Sequence, residues 1–244
     1  MRVHINKISG LAEALVALTI SKRNYTRQKE LEIHRLVDQS TDMQGGLSSS
    51  SFSQEFGNHM RSLVKWGVHE GHTTLLRFID LSITVEDLHR GAQDDFDAHA
   101  ARLNSRIVRS STRLATFTDD EKSDWYHDKI LYPFEAFKLA GIEVPKYIEG
   151  PNRHSYVATD FGYIRADLAD DKDAKRGLYP LAIPSTFIFK VQYPELCHIF
   201  QFRKEGTKAS PELQLMMTSL KDQLYLMNTY LADNLNKVKM EPRE

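Results

Sequence analysis

The stretch LLRFIDLSITV, Leu75 to Val85, decides the fold class. Leu81, Ile83 and Val85 alternate with polar Ser82 and Thr84, a period of two that places one row of side chains in a core and the other in water. This predicts a half-buried strand. A second apolar run, Phe187 to Val191, predicts another strand. Between and around them the apolar period changes to that of a helix. Leu11, Leu15 and Leu18 fall on one face, and Leu31, Ile33 and Leu36 continue among charges, so 10–38 reads as helix and 1–40 as an N-terminal helical segment. Gln54 to Trp66 is amphipathic, with Phe56, Met60, Leu63 and Val64 apolar and Gly67 and Gly71 as stop signals. Glu86 to Val108 and Asp119 to Leu139 read as longer helices. Pro211 opens a last helix over 211–236, whose stripe is Leu213, Met216, Met217, Leu220, Leu224, Met227 and Leu231. Helices and strands without regular βαβ alternation give an α+β chain, mixed helices around an antiparallel sheet, which we expect to be a single domain over 1–244.

Composition narrows the function classes. The chain has 244 residues, enough to bury a sizeable core, and a net charge of −1, so no global field draws it to nucleic acid or anionic lipid. Its one cysteine, Cys197, forms no internal disulfide, which fits a reducing compartment. The start MRVHINKISG has no continuous apolar run of a secretory signal, and the apolar stretch Leu11 to Ile20 is broken by Glu13 and Thr19. The expected setting is cytoplasmic, with no membrane and no nucleic acid as partner. The ten histidines have no zinc-ligand spacing, so no metal is expected, and no phosphate-loop, dinucleotide, serine-elbow or HExxH motif occurs.

Two basic clusters stand out. Arg102, Arg106, Arg109 and Arg113 are spaced four, three and four apart, one face of a helix if the helix continues. Either an anion sits against them, or they form a solvated face paired to Asp94, Asp95 and Asp97. Arg203, Lys204 and Lys208 follow the run CHIFQF, and guanidinium forks from both clusters would suit phosphate oxygens. The run GGLSSSSFS, Gly45 to Ser53, reads as a linker or an active-site edge, and ADDKDAKR, Ala169 to Arg176, as a charged turn.

The order of the pieces resembles the flavin-dependent thymidylate synthases, over about Ser48 to Leu220. Gly71-His72-Thr73-Thr74 resembles the start of that family's GHxSxxEH. Ser111-Thr112-Arg113-Leu114 resembles the end of RHRxxSxNExSxRY. Leu178-Tyr179-Pro180-Leu181 with Ser185-Thr186-Phe187 resembles the LP that opens a strand. Arg203 followed by Ala209-Ser210-Pro211-Glu212-Leu213-Gln214 resembles the final R…AQxEIR. The departures are specific: EH is Arg77-Phe78, RHR falls on Ala101-Arg102-Leu103, the motif's Ser, Asn and Glu are Arg106, Val108 and Arg109, and the last arginine is Gln214.

The resemblance implies reductive methylation, or a related C5 modification, of deoxyuridine monophosphate in a homotetramer, with FAD as cofactor and NADPH and methylenetetrahydrofolate as cosubstrates. It implies a nucleotide-phosphate site of Ser111 and Arg113, joined by Arg203 from another subunit, with Gln214 in place of the arginine that faces the pyrimidine and Arg109 as a replacement arginine beside them. The implied flavin site is His72, Thr74 and Arg102, with Arg106 as a second replacement arginine. A neutral amide at Gln214 hydrogen-bonds a base edge but does not stabilise negative charge developing on it. The replaced residues imply the alternative of a homologue that binds a nucleotide or phosphate, or acts as a scaffold, without the reaction. Cys197-His198 is also similar to the nucleophile context of the flavin-independent thymidylate synthases; against it, a lone Cys in an apolar run reads as a small buried hydrophobe.

Overall fold

The computed structural model describes residues 1–40, 53–100, 106–111, 122–159 and 161–238. The Gly45–Ser53 run, apart from Ser53, lies outside them, as do Arg102 and Arg113. The architecture centres on an antiparallel four-stranded sheet of order β1-β2-β7-β3, built from β1 (Arg2–Ser9), β2 (Asp80–His89), β7 (Pro184–Gln192) and β3 (Arg106–Arg109). Val3, Ile5 and Ile8, then Leu81, Ile83 and Val85, then Phe187, Phe189 and Val191 point to the same buried side. Ser82, Thr84, Ile188 and Lys190 point the other way, as the alternation requires.

Helices cover the buried side. These are α1 (Leu11–Ser21), α2 (Arg27–Gln39), α3 (Gln54–Val64), α4 (Arg90–Ala100), α7 (Tyr193–Arg203) and α8 (Pro211–Met227). The predicted stripe of α8 holds: Leu213, Met216, Met217, Leu220 and Leu224 are fully buried, each worth roughly 1.5–3 kcal/mol relative to exposure. Ser210 caps α8 by accepting from the Leu213 N–H, with Pro211 at the first turn. Gly10 joins β1 to α1 at φ 80°, and a Cβ there would run into the Phe78 carbonyl oxygen, so only glycine lets the strand turn into the helix.

A second sheet, β4 (Tyr147–Glu149), β5 (Ser155–Thr159) and β6 (Gly162–Arg165), is also antiparallel. It lies in the long connection between β3 and β7, together with α5 (Pro133–Leu139) and α6 (Lys172–Arg176). Tyr132, Phe134, Phe161, Tyr163 and Tyr179 pack edge to face there. Lys122 is buried in the same region, where its ammonium donates to the Ile130 carbonyl at 2.9 Å and pairs with Glu135.

Several expected boundaries change. The 1–40 segment begins with a strand, and its helix is interrupted over Lys22–Thr26 before Thr26 caps α2. Leu75 belongs to a 3-10 turn, Thr73–Phe78, and the strand runs from Asp80 to His89. The helix expected over Glu86 to Val108 is instead strand to His89, α4 over Arg90–Ala100, and strand again at Arg106–Arg109. Of 119–139, only Pro133–Leu139 is helical among the described residues. The last helix stops at Met227, where buried Asn228 leaves helical geometry and caps α9 (Thr229–Ala232).

Candidate functional site

The helix α4 is the hub of the candidate site. It follows β2 without a loop, and its Ala92 and Phe96 anchor it in the core. Phe96 packs on Phe187 and Phe189 at 5.5 and 4.9 Å between ring centroids. That anchoring leaves Asp94, Asp95 and Asp97 toward the rim, and three arginines from three elements converge on them. Arg90 of α4 reaches Asp94 at 3.2 Å. Arg109 of β3 reaches Asp94 at 3.2 Å and Asp97 at 2.6 Å. Arg203, the last residue of α7, reaches Asp95 at 3.0 Å. Burial holds the Asp97 carboxyl above its usual pKa, against the pull of Arg109.

The helical face expected for Arg102, Arg106, Arg109 and Arg113 is corrected here. Arg106 and Arg109 sit three apart on a strand and therefore point to opposite faces. Arg109 turns toward α4. Arg106 lies opposite Lys190 on the outer face. Of the two readings open from sequence, pairing with the acids of α4 is the one seen for Arg109, through Asp94 and Asp97.

The other expected substrate residues divide. Ser111 follows the end of β3, and its neighbour Ser110 donates its N–H to the Thr186 carbonyl at 2.8 Å, which fixes the strand end beside β7. Gln214 is engaged by its own loop: its amide nitrogen donates to the Ala209 and Thr207 carbonyls at 2.8 and 3.3 Å, and its amide oxygen accepts from the Gly206 N–H at 3.1 Å. The amide therefore closes the 206–209 turn rather than standing open to a ligand. Among the expected flavin residues, His72 is exposed, its ring stacked on Trp66 at 5.4 Å and 20°. Thr74 is exposed in the following 3-10 turn. Arg106 lies in the row Arg106–Lys190–Ser82 on the outer face of the sheet, on the edge strand, with β7 between it and β2.

Cys197 is fully buried inside α7 and burial pushes its thiol pKa far up, so no thiolate is available and the nucleophile reading falls. His198, its neighbour, packs on Phe202 at 4.9 Å, and burial lowers its pKa.

Sequence reading missed a buried polar cluster behind α4. The Glu212 carboxylate, at the start of α8, accepts from the His89 N–H at 3.0 Å and also meets the His89 ring nitrogen. His89 meets Tyr126 edge to face at 4.9 Å. Gln93 accepts from the Ser185 hydroxyl. The only sequence signal was Glu212 itself, inside the Ala209–Gln214 motif. Among the described residues no group of three or more His, Cys, Asp or Glu side chains is arranged to hold a metal ion, and no helix is long and apolar enough to cross a membrane.

This architecture has the fold of the flavin-dependent thymidylate synthases. A crystal structure of the Helicobacter pylori enzyme of that type with FAD and dUMP superposes at a TM-score of 0.58 and 14% identity, covering 98% of this chain and 100% of that one. A second Helicobacter pylori structure with the same ligands gives 0.56 and 13%, covering 94% and 99%. The UMP/dUMP methylase PolB from Streptomyces cacaoi, bound with 5-Br dUMP, gives 0.55 and 10%, covering 95% and 92%. No family model and no curated protein matches the chain.

Proposed function

We propose that this protein is a uridine-nucleotide-binding flavoenzyme that methylates deoxyuridine monophosphate at carbon five, using methylenetetrahydrofolate and NADPH, as a cytoplasmic homotetramer. One observation carries the reading. Arg203, which the resemblance draws to the nucleotide, and Arg109, an arginine standing where the family's motif has Glu, come from distant parts of the sequence and reach adjacent residues of α4, Asp95 and Asp94. Two guanidinium forks at one helix are the donor set that a phosphate monoester requires. Structures of this fold bound to dUMP or a brominated dUMP support the choice of ligand.

The residues assigned to a flavin have side chains of the type that such a cofactor takes. His72 and Trp66 offer a flat aromatic pair, and Thr74 and Arg106 offer a hydroxyl and a guanidinium for phosphate oxygens. A flavin, when bound, supplies the reducing electrons. The protein residues orient the nucleotide: Arg109 and Arg203 hold its phosphate, and Ser111 adds a hydroxyl at the end of β3.

A second reading, nucleotide binding without methylation, is favoured by Gln214. Its amide is committed to the 206–209 turn, and it carries no charge to stabilise an anionic pyrimidine. Absorption spectroscopy and NADPH oxidation separate the two. The enzyme reading requires a yellow protein whose NADPH oxidation rises with dUMP. A colourless protein that free FAD does not change, yet binds dUMP, establishes the second reading instead.

A further inference from the structure

We propose that Asp95 and Asp94 are internal stand-ins for a ligand phosphate: their carboxylates occupy Arg203 and Arg109 until a phosphate monoester displaces them. This rests on the reading above that the two arginines form the nucleotide's anion site.

The geometry around Arg203 is asymmetric. Its side chain is 19% exposed, whereas that of Asp95 is 40% exposed. The cation is held and the anion has room to swing into water. The pairing is also incomplete. A carboxylate opposite a guanidinium commonly takes two parallel N–H groups. Asp95 takes one, at Nη2. Nη1 donates to the Phe202 carbonyl at a long 3.4 Å, and the buried Nε has no hydrogen-bond partner among the described residues. A phosphate, with three terminal oxygens, can engage the exposed Nη1 together with Nη2, which Asp95 does not.

Arg109 repeats the pattern with a difference. Asp94, 49% exposed, divides itself between Arg90 and Arg109 at 3.2 Å each. Asp97, 22% exposed, makes the shorter contact at 2.6 Å. Asp97 is therefore the fixed support of Arg109 and Asp94 the displaceable one. Three aspartates against three arginines leave this rim near neutrality without a ligand. A dianion arriving there gains contacts on both arginines while the aspartates recover their hydration. Ion pairs this exposed hold weakly, so displacement costs little.

The test is calorimetric titration of the purified full chain with dUMP, with inorganic phosphate and with deoxyuridine, for the wild type, Asp95→Asn and Arg203→Gln. Asp95→Ser serves as a second variant should the amide fail to fold. Removing the competing carboxylate should tighten inorganic phosphate and dUMP about two- to fivefold, the factor that an exposed ion pair is worth. It should leave deoxyuridine, which has no phosphate, unchanged. Arg203→Gln should weaken both phosphate ligands. If both Asp95 variants fold, and bind phosphate no more tightly than the wild type, Asp95 is only a structural partner and the proposal is overturned. Absence of phosphate binding in all proteins overturns it as well. Tighter phosphate binding with dUMP no better than phosphate upholds the displacement and removes the nucleotide reading.

Discussion

Gln214→Ala tests whether this residue closes a turn or reads a base. The wild-type amide makes three hydrogen bonds to the backbone of residues 206–209, at 2.8, 3.1 and 3.3 Å. A side-chain hydrogen bond contributes about 0.5–1.5 kcal/mol net, and the bond to the Gly206 N–H is solvent-exposed and belongs at the low end. The loss therefore comes to about 2 kcal/mol. The turn joins the end of α7, which carries Arg203, to the start of α8, which carries Glu212. Loosening it should destabilise the fold and move Arg203 only indirectly. Urea denaturation followed by circular dichroism gives the free energy, and calorimetry gives dUMP affinity. We expect the midpoint to fall with the slope unchanged, and dUMP affinity to stay within about threefold, since no direct contact is removed. Stability within about 0.5 kcal/mol of wild type, together with a collapse in dUMP affinity, would refute the structural role and restore Gln214 as a ligand contact.

Three further outcomes follow from buried groups. Glu212→Ala leaves the His89 N–H and ring without their acceptor in a site where Glu212 is 1% exposed, and should cost about 3 kcal/mol or more, read from the same denaturation curve. The Cys197 thiol should resist alkylation by iodoacetamide in the folded protein and react on unfolding, and Cys197→Ala should keep any dUMP-dependent activity; loss of that activity in a folded variant would reopen the nucleophile reading. The Glu135 carboxyl is held below its ordinary value, near 4.5, first by its hydrogen bond from Lys122. Because the folded pKa is depressed, this stabilisation is present above about pH 4.5 and is lost as pH falls through the folded value. Lys122→Met should therefore flatten the acid limb of a stability-against-pH curve, and an unchanged limb would place its origin in other carboxylates.

The fold was legible where one period ran unbroken. β2 and β7 alternate over several residues, and α8 keeps its stripe from Leu213 to Leu224, so the element types hold while their ends shift. β1 was hidden by its own irregularity. The pairing shifts between Ile5 and Lys7, so its buried residues fall at Val3, Ile5 and Ile8 rather than every second position. β3 has four residues and one exposed apolar side chain, Val108, which is too short a signal to separate from the preceding helix. Placing Arg106 and Arg109 on a helix followed from that, and with it the expectation of a single arginine face.

The site was legible in its residue types and not in its pairings. Arg109, Arg203 and the aspartates could all be named from sequence. Which aspartate meets which arginine depends on where α4 packs relative to the ends of β3 and α7, a tertiary fact without a local signature. The engagement of Gln214 was invisible for a related reason, since it depends on the path of the 206–209 turn.

The claim that Arg109 and Arg203 form a phosphate-binding pair is tested most directly by titrating dUMP into the wild type and into the Arg109→Gln, Arg203→Gln double variant. Each charge-assisted hydrogen bond contributes about 1.5–3 kcal/mol, so we expect saturable wild-type binding and at least a roughly tenfold loss in a double variant that remains folded. Equal affinities in the two proteins, or no binding by the wild type, would contradict it.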